Sequence, residues 1–468
     1  MVVSKADFID DRRIFSLLGD SKAVRSGAEV MRVIDKAALS DGLTPEEVAV
    51  LLNVEDPVLL DRIYHTAREI KEQIYGKRLV FFVPLYISDY CINNCVYCGY
   101  RRDNSFGRRK LSMQEIRNEV SVLEEMGHKR IAMECGEDPK NCPIDYVIEA
   151  IDTIYSVKQE KGSIRRVNVN IAATTVEEYK RLHSAGIGTY ILFQETYHRP
   201  TYEKMHPSGP KNNYDWHTCA FDRAMAGGID DVGSGVLFGL YDYKYEVLAL
   251  LLHALHLEEA WGVGPHTISV PRIRPAGGID LETFPHLVSD REFKKLIAII
   301  RLAVPYTGMI LSTREPAELR DELVSVGISQ LSAGSCTGVG GYYRENNADR
   351  EAQRPQFEVE DCRSLDEVIA NVCKSGYIPS FCTACYRKGR TGDRFMSLAK
   401  TGQIQDVCQP NAILTFKEFL LDYASPETRR AGEEAIRKHL DRICNPKVRQ
   451  VTKKRLAQLE EGTRDLYF

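Results

Sequence analysis

Cys91-Ile92-Asn93-Asn94-Cys95-Val96-Tyr97-Cys98 follows directly on a strand-like apolar run, residues 79–87, and these two neighbours decide how the rest of the chain is read. Three thiols spaced C-x3-C-x2-C can hold three irons of a cubane iron-sulfur cluster and leave the fourth iron open to a small ligand. A structural zinc is the competing reading. Zinc takes four ligands, commonly from paired C-x2-4-C units, and no neighbouring residue supplies the fourth.

Working outward from this loop, strand-like and helix-like segments alternate from residue 79 to about residue 334, the pattern of a parallel sheet covered by helices. Eight strand candidates emerge: 79–87, 130–134, 167–171, 190–195, 231–238, 267–270, 308–312 and 328–333. Eight strands close a barrel, so the expected class is α/β, a (βα)8 TIM barrel, with a helical extension before it and a mostly helical one after it. Ser112 with Glu115 and Thr174 with Glu177 read as helix-starting capping boxes, and Gly186 sits where a helix should stop. Residues 8–74 read as helices with two loop breaks covering one end of the barrel. Residues 342–355 read as a polar loop, and the tail from there to 468 as mixed but largely helical. The expected divisions are therefore 1–78, 79–341 and 342–468.

With 62 basic and 66 acidic residues in 468, a formal charge of -4 leaves no electrostatic footprint for nucleic acid. The charged start carries no apolar core of signal-peptide length, and no run reaches membrane-spanning length. The most apolar helical stretch, 247–257, is interrupted by His253 and His256 and reads as a buried helix. Thirteen cysteines without an export signal point to free thiols and metal ligands in a reducing cytoplasm. Cys135, Cys142, Cys219, Cys336, Cys362, Cys373 and Cys444 lack ligand spacing and read mostly as small buried hydrophobes.

The first cysteine triplet, with an aromatic just before its last member, resembles the signature of the radical S-adenosylmethionine superfamily. That resemblance implies a 4Fe-4S cluster on Cys91, Cys95 and Cys98 whose open iron is chelated by S-adenosylmethionine. Glu134-Cys135-Gly136-Glu137, after the second strand, resembles the family segment Gly-Gly-Glu that meets the cofactor's amino group, with Cys135 in place of the first glycine. Gly136 and Glu137 are thus expected at the cofactor, and Tyr97 at its adenine. Asn168 and Asn170 share one strand face, as do Phe193 and Glu195. Polar groups facing a lumen need partners, so Asn170, Gln194 and Glu195 are assigned to cofactor or substrate, an internal hydrogen-bond network being the alternative. Arginine grips a carboxylate with two parallel hydrogen bonds. Among Arg272, Arg274 and Arg314, Arg314 is the expected anchor of the substrate carboxylate and Arg272 a cofactor contact; structural ion pairs are the alternative.

A second triplet, Cys382-x2-Cys385 with Cys408, again supplies three thiols, and reads as a second 4Fe-4S cluster with an open iron or as a zinc site borrowing Cys373 or Cys444. The segments 191–198 (ILFQETYH) and 264–272 (GPHTISVPR) resemble the aromatic amino-acid lyase branch of the superfamily. With the tail triplet, the chain resembles over nearly its whole length the tyrosine lyases that mature diiron hydrogenases.

That resemblance implies cleavage of the tyrosine Cα–Cβ bond to p-cresol and dehydroglycine, then breakdown of dehydroglycine to carbon monoxide and cyanide at the second cluster. It also implies an additional iron there, held by His266 and a free cysteine molecule. The implied partners are L-tyrosine, an electron donor such as ferredoxin or flavodoxin, and other hydrogenase maturases. His266 precedes the sixth strand, while Arg272 and Arg274 lie six to eight residues on, a span of about 20 Å in extended chain. One strand therefore faces two sites. Gly233-Ser234-Gly235 and Ser332-Ala333-Gly334 are small enough to leave a lumen open as a tunnel. Two other readings are a thiamine-pathway tyrosine lyase (2-iminoacetate synthase) with a structural metal in the tail, and an iron-sulfur scaffold without turnover.

Overall fold

A computed structural model describes residues 3–21, 26–346 and 355–468. Its centre is a closed parallel barrel of eight strands: β1 (Arg78–Ser88), β2 (Arg130–Cys135), β3 (Arg166–Asn170), β4 (Tyr190–Glu195), β5 (Val232–Val236), β6 (Thr267–Ser269), β7 (Gly308–Leu311) and β8 (Gln330–Ser332). Closure comes from β1, which pairs with β2 through Val83↔Ile131 and with β8 through Phe82↔Ser332. All eight strands stand where the alternation placed them, with edges differing by up to two residues. A short ninth strand, β9 (Ile378–Ser380), was not expected. It lies parallel to the start of β1, with Arg78↔Ile378, and so carries the second cysteine segment to the amino-terminal rim of the barrel.

The outer helices begin and end for local reasons. Ser112 accepts from the Glu115 backbone at 3.3 Å while Glu115 accepts from the Ser112 backbone at 2.8 Å, a complete capping box. The box expected at Thr174 and Glu177 does not form. The helix starts one residue later, at Val176, with Thr175 accepting from the Glu178 backbone, because the Thr174 amide is taken by the Tyr179 hydroxyl. Helix Tyr243–Trp261 is buried along most of its length, as its apolar stretch implied, and stops at Gly262 (φ 76°), where a left-handed turn suits glycine. Among the described residues no helix is long and apolar enough to cross a membrane.

Four helices precede the barrel: Asp11–Ser21, Gly27–Ala37, Pro45–Leu52 and Pro57–Tyr75. They therefore show three breaks rather than the expected two. They lie along the outer helices rather than capping an end: Lys71 donates to the Val324 carbonyl at 2.6 Å, and Lys244 to the side chain of Asn53, which caps the third helix, at 3.0 Å. The segment expected as a loop at 342–355 begins with the end of a helix, Gly341–Asn346, and residues 347–354 lie outside the described residues. Beyond it, helices Leu365–Lys374, Ala384–Arg387, Gly392–Lys400, Ile404–Asp422, Pro426–Asp441 and Pro446–Glu460 form the tail.

Candidate functional site

At the carboxyl ends of the strands lies a cavity of about 210 Å³, lined by Cys91, Cys95 and Cys98 together with Glu137, Glu195 and Arg314. The cysteine loop is stitched to the end of β2. The Ile92 amide donates to the Glu137 carbonyl at 2.8 Å, the Gly136 amide to the Ser88 carbonyl at 3.1 Å, and the Asn93 side chain to the Glu137 carboxylate at 2.6 Å. A Cβ on Gly136 would stand 2.3 Å from the Tyr90 carbonyl oxygen, so only glycine allows this approach. Burial raises all three thiols, Cys98 to about 11. Buried thiolates without a cation are penalised in this way, and a metal group bound here would lift the penalty. Three thiols on one loop beside an open cavity fit a cluster with one free corner.

Glu195 ends β4 at φ 69°, a left-handed conformation unusual outside glycine, where the β4–β5 register slips between Phe193 and Glu195. The strained backbone aims its carboxylate at Lys211, which donates to it at 2.9 Å. Burial opposes the Lys211 charge, but Glu195 and Cys95 outweigh it and raise its pKa. Arg314 also lines the cavity. Its guanidinium lies 3.4 Å from the centre of the Phe357 ring and, among the described residues, has no hydrogen bond or ion pair of its own. Asn170 lines the same cavity, and Tyr97 does so with its hydroxyl 2.7 Å from His206 Nε2. Burial pushes the Glu134 carboxyl up to about 7, against the Tyr86, Arg314 and Asn170 groups that favour its charge.

Two expected residues do not reach this cavity. Gln194 points to the opposite face of β4 from Phe193 and Glu195 and donates to the Thr218 hydroxyl at 2.9 Å, as the two-residue period of a strand requires. Arg272 is buried over the Phe293 ring, donates to Glu315 from two nitrogens and pairs with Asp290 at 2.8 Å, while Arg274 holds the same Glu315 at 2.9 Å. The carboxylate gripped by these arginines is internal.

The second cavity, about 50 Å³, opens at the amino ends of the strands and is lined by Cys382, Cys385, Cys408, His266, Asp231 and Arg130. It brings the tail triplet and the histidine before β6 together, although 116 to 142 residues of chain separate them. Cys385, together with the guanidiniums of Arg78, Arg390 and Arg130, lowers the thiol of its neighbour Cys408 against the effect of burial. Unpaired buried atoms concentrate here: Nε of Arg78, Arg130 and Arg390, both carboxylate oxygens of Asp231, and Nδ1 of His266. Native structures rarely leave such atoms bare, so this clustering fits a polar group bound at the cavity. No three His, Cys, Asp or Glu side chains among the described residues converge as ligands of a single ion must. Neither Cys373 nor Cys444 lines the cavity, so a zinc site borrowing one of those thiols is not formed here.

The cavities meet closely inside the barrel. Val80, Arg130, Gly308 and Gln330 line the second, and the next inward residues on the same strands, Phe82, Ala132, Ile310 and Ser332, line the first. One such step is about 6.6 Å. The glycines of β5 act differently from the expectation of an emptied lumen: a Cβ on Gly235 would meet Phe193 at 2.6 Å, and one on Gly233 would meet the Thr267 hydroxyl at 2.5 Å. They make room for neighbouring side chains.

Lys211, Asp231 and the arginines of the second cavity were not anticipated. Glu134 and Asn170, paired in register across β2 and β3, could have been found together from strand alternation. Lys211 sits in a single 3-10 turn, Pro210–Asn212, too short to carry such a signal.

The model of the Radical SAM superfamily matches residues 85–254, and that of the Biotin and Thiamin Synthesis associated domain matches 269–378. The 2-iminoacetate synthase of Escherichia coli K12 is 30% identical over 362 residues, 77% of this chain and 92% of that protein. A crystal structure titled HydG, a maturase of the FeFe-hydrogenase, is 62% identical, with a TM-score of 0.96 over 99% of this chain and 100% of the other. The HydG of Carboxydothermus hydrogenoformans is 39% identical, with a TM-score of 0.82 over 96% and 99% of the two chains. Barrel, cysteine loop and tail thus coincide with one group of proteins along the whole length, and the chain belongs to the HydG family of the radical S-adenosylmethionine superfamily.

Proposed function

We propose that this chain is a two-site radical S-adenosylmethionine tyrosine lyase, with tyrosine cleaved at the first cavity and the resulting dehydroglycine taken apart at the second. The observation that carries the reading is the pair of cysteine triplets at opposite ends of one barrel, each beside a cavity, with the cavities one side-chain step apart. When bound, the cofactors supply a one-electron source, a hydrogen-abstracting radical at the first cavity and an iron to receive the small products at the second.

The chain's own residues divide the work. Cys91, Cys95 and Cys98 hold the first 4Fe-4S cluster, Gly136 and Glu137 present backbone and carboxylate to the S-adenosylmethionine ammonium, and Tyr97 borders its adenine. Arg314, half-buried at the cavity wall and without an ion-pair partner among the described residues, holds a carboxylate by charge-assisted hydrogen bonds. Glu195, neutralised by Lys211, closes the cavity beside the cluster. Asn170 offers an amide to the bound zwitterions. Cys382, Cys385 and Cys408 hold the second cluster, and His266 an additional iron with a free cysteine molecule. Dehydroglycine contains the atoms of carbon monoxide, cyanide and water, so its breakdown needs no further reactant. The parts 1–78, 79–341 and 342–468 then correspond to a flanking support, the radical barrel and the second-cluster extension. The reading places the enzyme in the cytoplasm, supplied with electrons by ferredoxin or flavodoxin and handing its product to other maturases.

Anaerobic incubation with S-adenosylmethionine, tyrosine and reductant tests this. 5'-Deoxyadenosine, p-cresol and carbon monoxide are all expected. p-Cresol without carbon monoxide would indicate a lyase that stops at dehydroglycine, and absence of 5'-deoxyadenosine a scaffold without turnover.

A further inference from the structure

We infer that Asp231 is the positioning residue that fixes His266 as an Nε2 ligand at the second cavity, an inference that rests on the two-site reading above. The two residues come together through the sheet. Each immediately precedes its strand, Asp231 before β5 and His266 before β6, and the His266 amide donates to the Val232 carbonyl at 2.9 Å. Asp231 is 2% exposed, and neither carboxylate oxygen has a hydrogen-bond partner. None of the cavity arginines satisfies it. His266 Nδ1 is equally sealed and unpartnered, and it lies 3.8 Å from Asp231 Oδ2.

A carboxylate this deeply buried with both oxygens bare is held for a donor, and the facing unpaired ring nitrogen is one. Closing their gap by about 1 Å makes an ordinary hydrogen bond. The imidazole is also confined from the side, its ring 4.3 Å from that of Phe395. With its proton on Nδ1 and directed at Asp231, the neutral ring presents the Nε2 lone pair to the cavity. Carboxylate partners of this kind set the tautomer and orientation of metal-binding histidines and raise their basicity.

The test uses the full chain, reconstituted anaerobically and titrated with ferrous iron in the presence of L-cysteine. Binding is read from the high-spin electron paramagnetic resonance signal and from the imidazole nitrogen hyperfine coupling. Asp231→Ala is expected to weaken binding of the additional iron by about 10- to 100-fold while the iron content of the cubanes stays at the wild-type level. Asp231→Asn, which retains an acceptor but not the charge, weakens it less and alters the nitrogen coupling. Wild-type affinity and unchanged coupling in Asp231→Ala overturn the inference, as the same result in Asp231→Asn does if the alanine variant does not fold. His266→Ala separates the two levels of argument. If it keeps the additional iron, His266 is not its ligand and the inference fails with that assignment, while carbon monoxide formation still tests the two-site reading; if it loses the iron and the Asp231 variants do not, only the role of Asp231 fails.

Discussion

At the carboxyl ends of the strands, Gly136, Glu137 and the cysteine loop are bound to one another by backbone and side-chain hydrogen bonds, whereas at the amino ends Asp231, His266 and three arginines present bare buried atoms. The backbone frame of the first cavity is closed by the chain itself, whereas each unpaired buried polar group at the second costs on the order of 1–3 kcal/mol. The contrast follows from how each is built. The cysteines of the first lie within eight consecutive residues beside a single strand end, while those of the second come from two tail segments and meet residues of β1, β2, β7 and β8 and those just before β5 and β6. A site made of one loop carries its own scaffold, and one made of many segments depends on the whole fold.

The comparison can be broken most sharply at the thiols. Cys95→Ala should abolish both 5'-deoxyadenosine and p-cresol, a loss of at least about a thousandfold, because without the first cluster nothing starts the chemistry; chromatography of the products reads it. Cys408→Ala should abolish carbon monoxide while p-cresol still forms, as followed by trapping carbon monoxide on a haem protein. Loss of both products together would show that the two cavities do not act separately.

The arginines sharpen the contrast further. Arg314→Gln removes a charge that meets no internal partner, so the KM for tyrosine or for S-adenosylmethionine should rise about 10- to 100-fold, the size of one charge-assisted contact of about 1.5–3 kcal/mol. Whichever KM moves identifies the carboxylate it holds. Arg272→Gln should leave both KM values near wild type and lower the melting temperature instead, since it takes one of two arginines from the buried Glu315 while Arg274 still holds it. Gly136→Ala should weaken S-adenosylmethionine binding, measured by calorimetry, because a Cβ 2.3 Å from the Tyr90 carbonyl oxygen forces the two backbones apart.

The fate of the arginines also marks the limit of what could be read before folding. Arg272 and Arg314 both follow barrel strands and looked equivalent along the chain, but Glu315, 43 residues beyond Arg272, claims one and leaves the other free. Gln194 was misplaced for a simpler reason: its neighbours Phe193 and Glu195 already occupied the lumen face of β4. The ninth strand escaped notice because three residues carry too little periodicity to separate strand from loop.

What the sequence by itself determined is local: two cysteine triplets, the alternation of eight strands with helices, and the glycine at the close approach after β2. These depend on spacing and backbone sterics within a few residues, which no distant contact alters. Only the tertiary structure decided that Lys211 neutralises Glu195 and that Asp231 faces Nδ1 of His266. Those pairings are set by strand register and by where the tail docks, and both are products of burying the whole core at once.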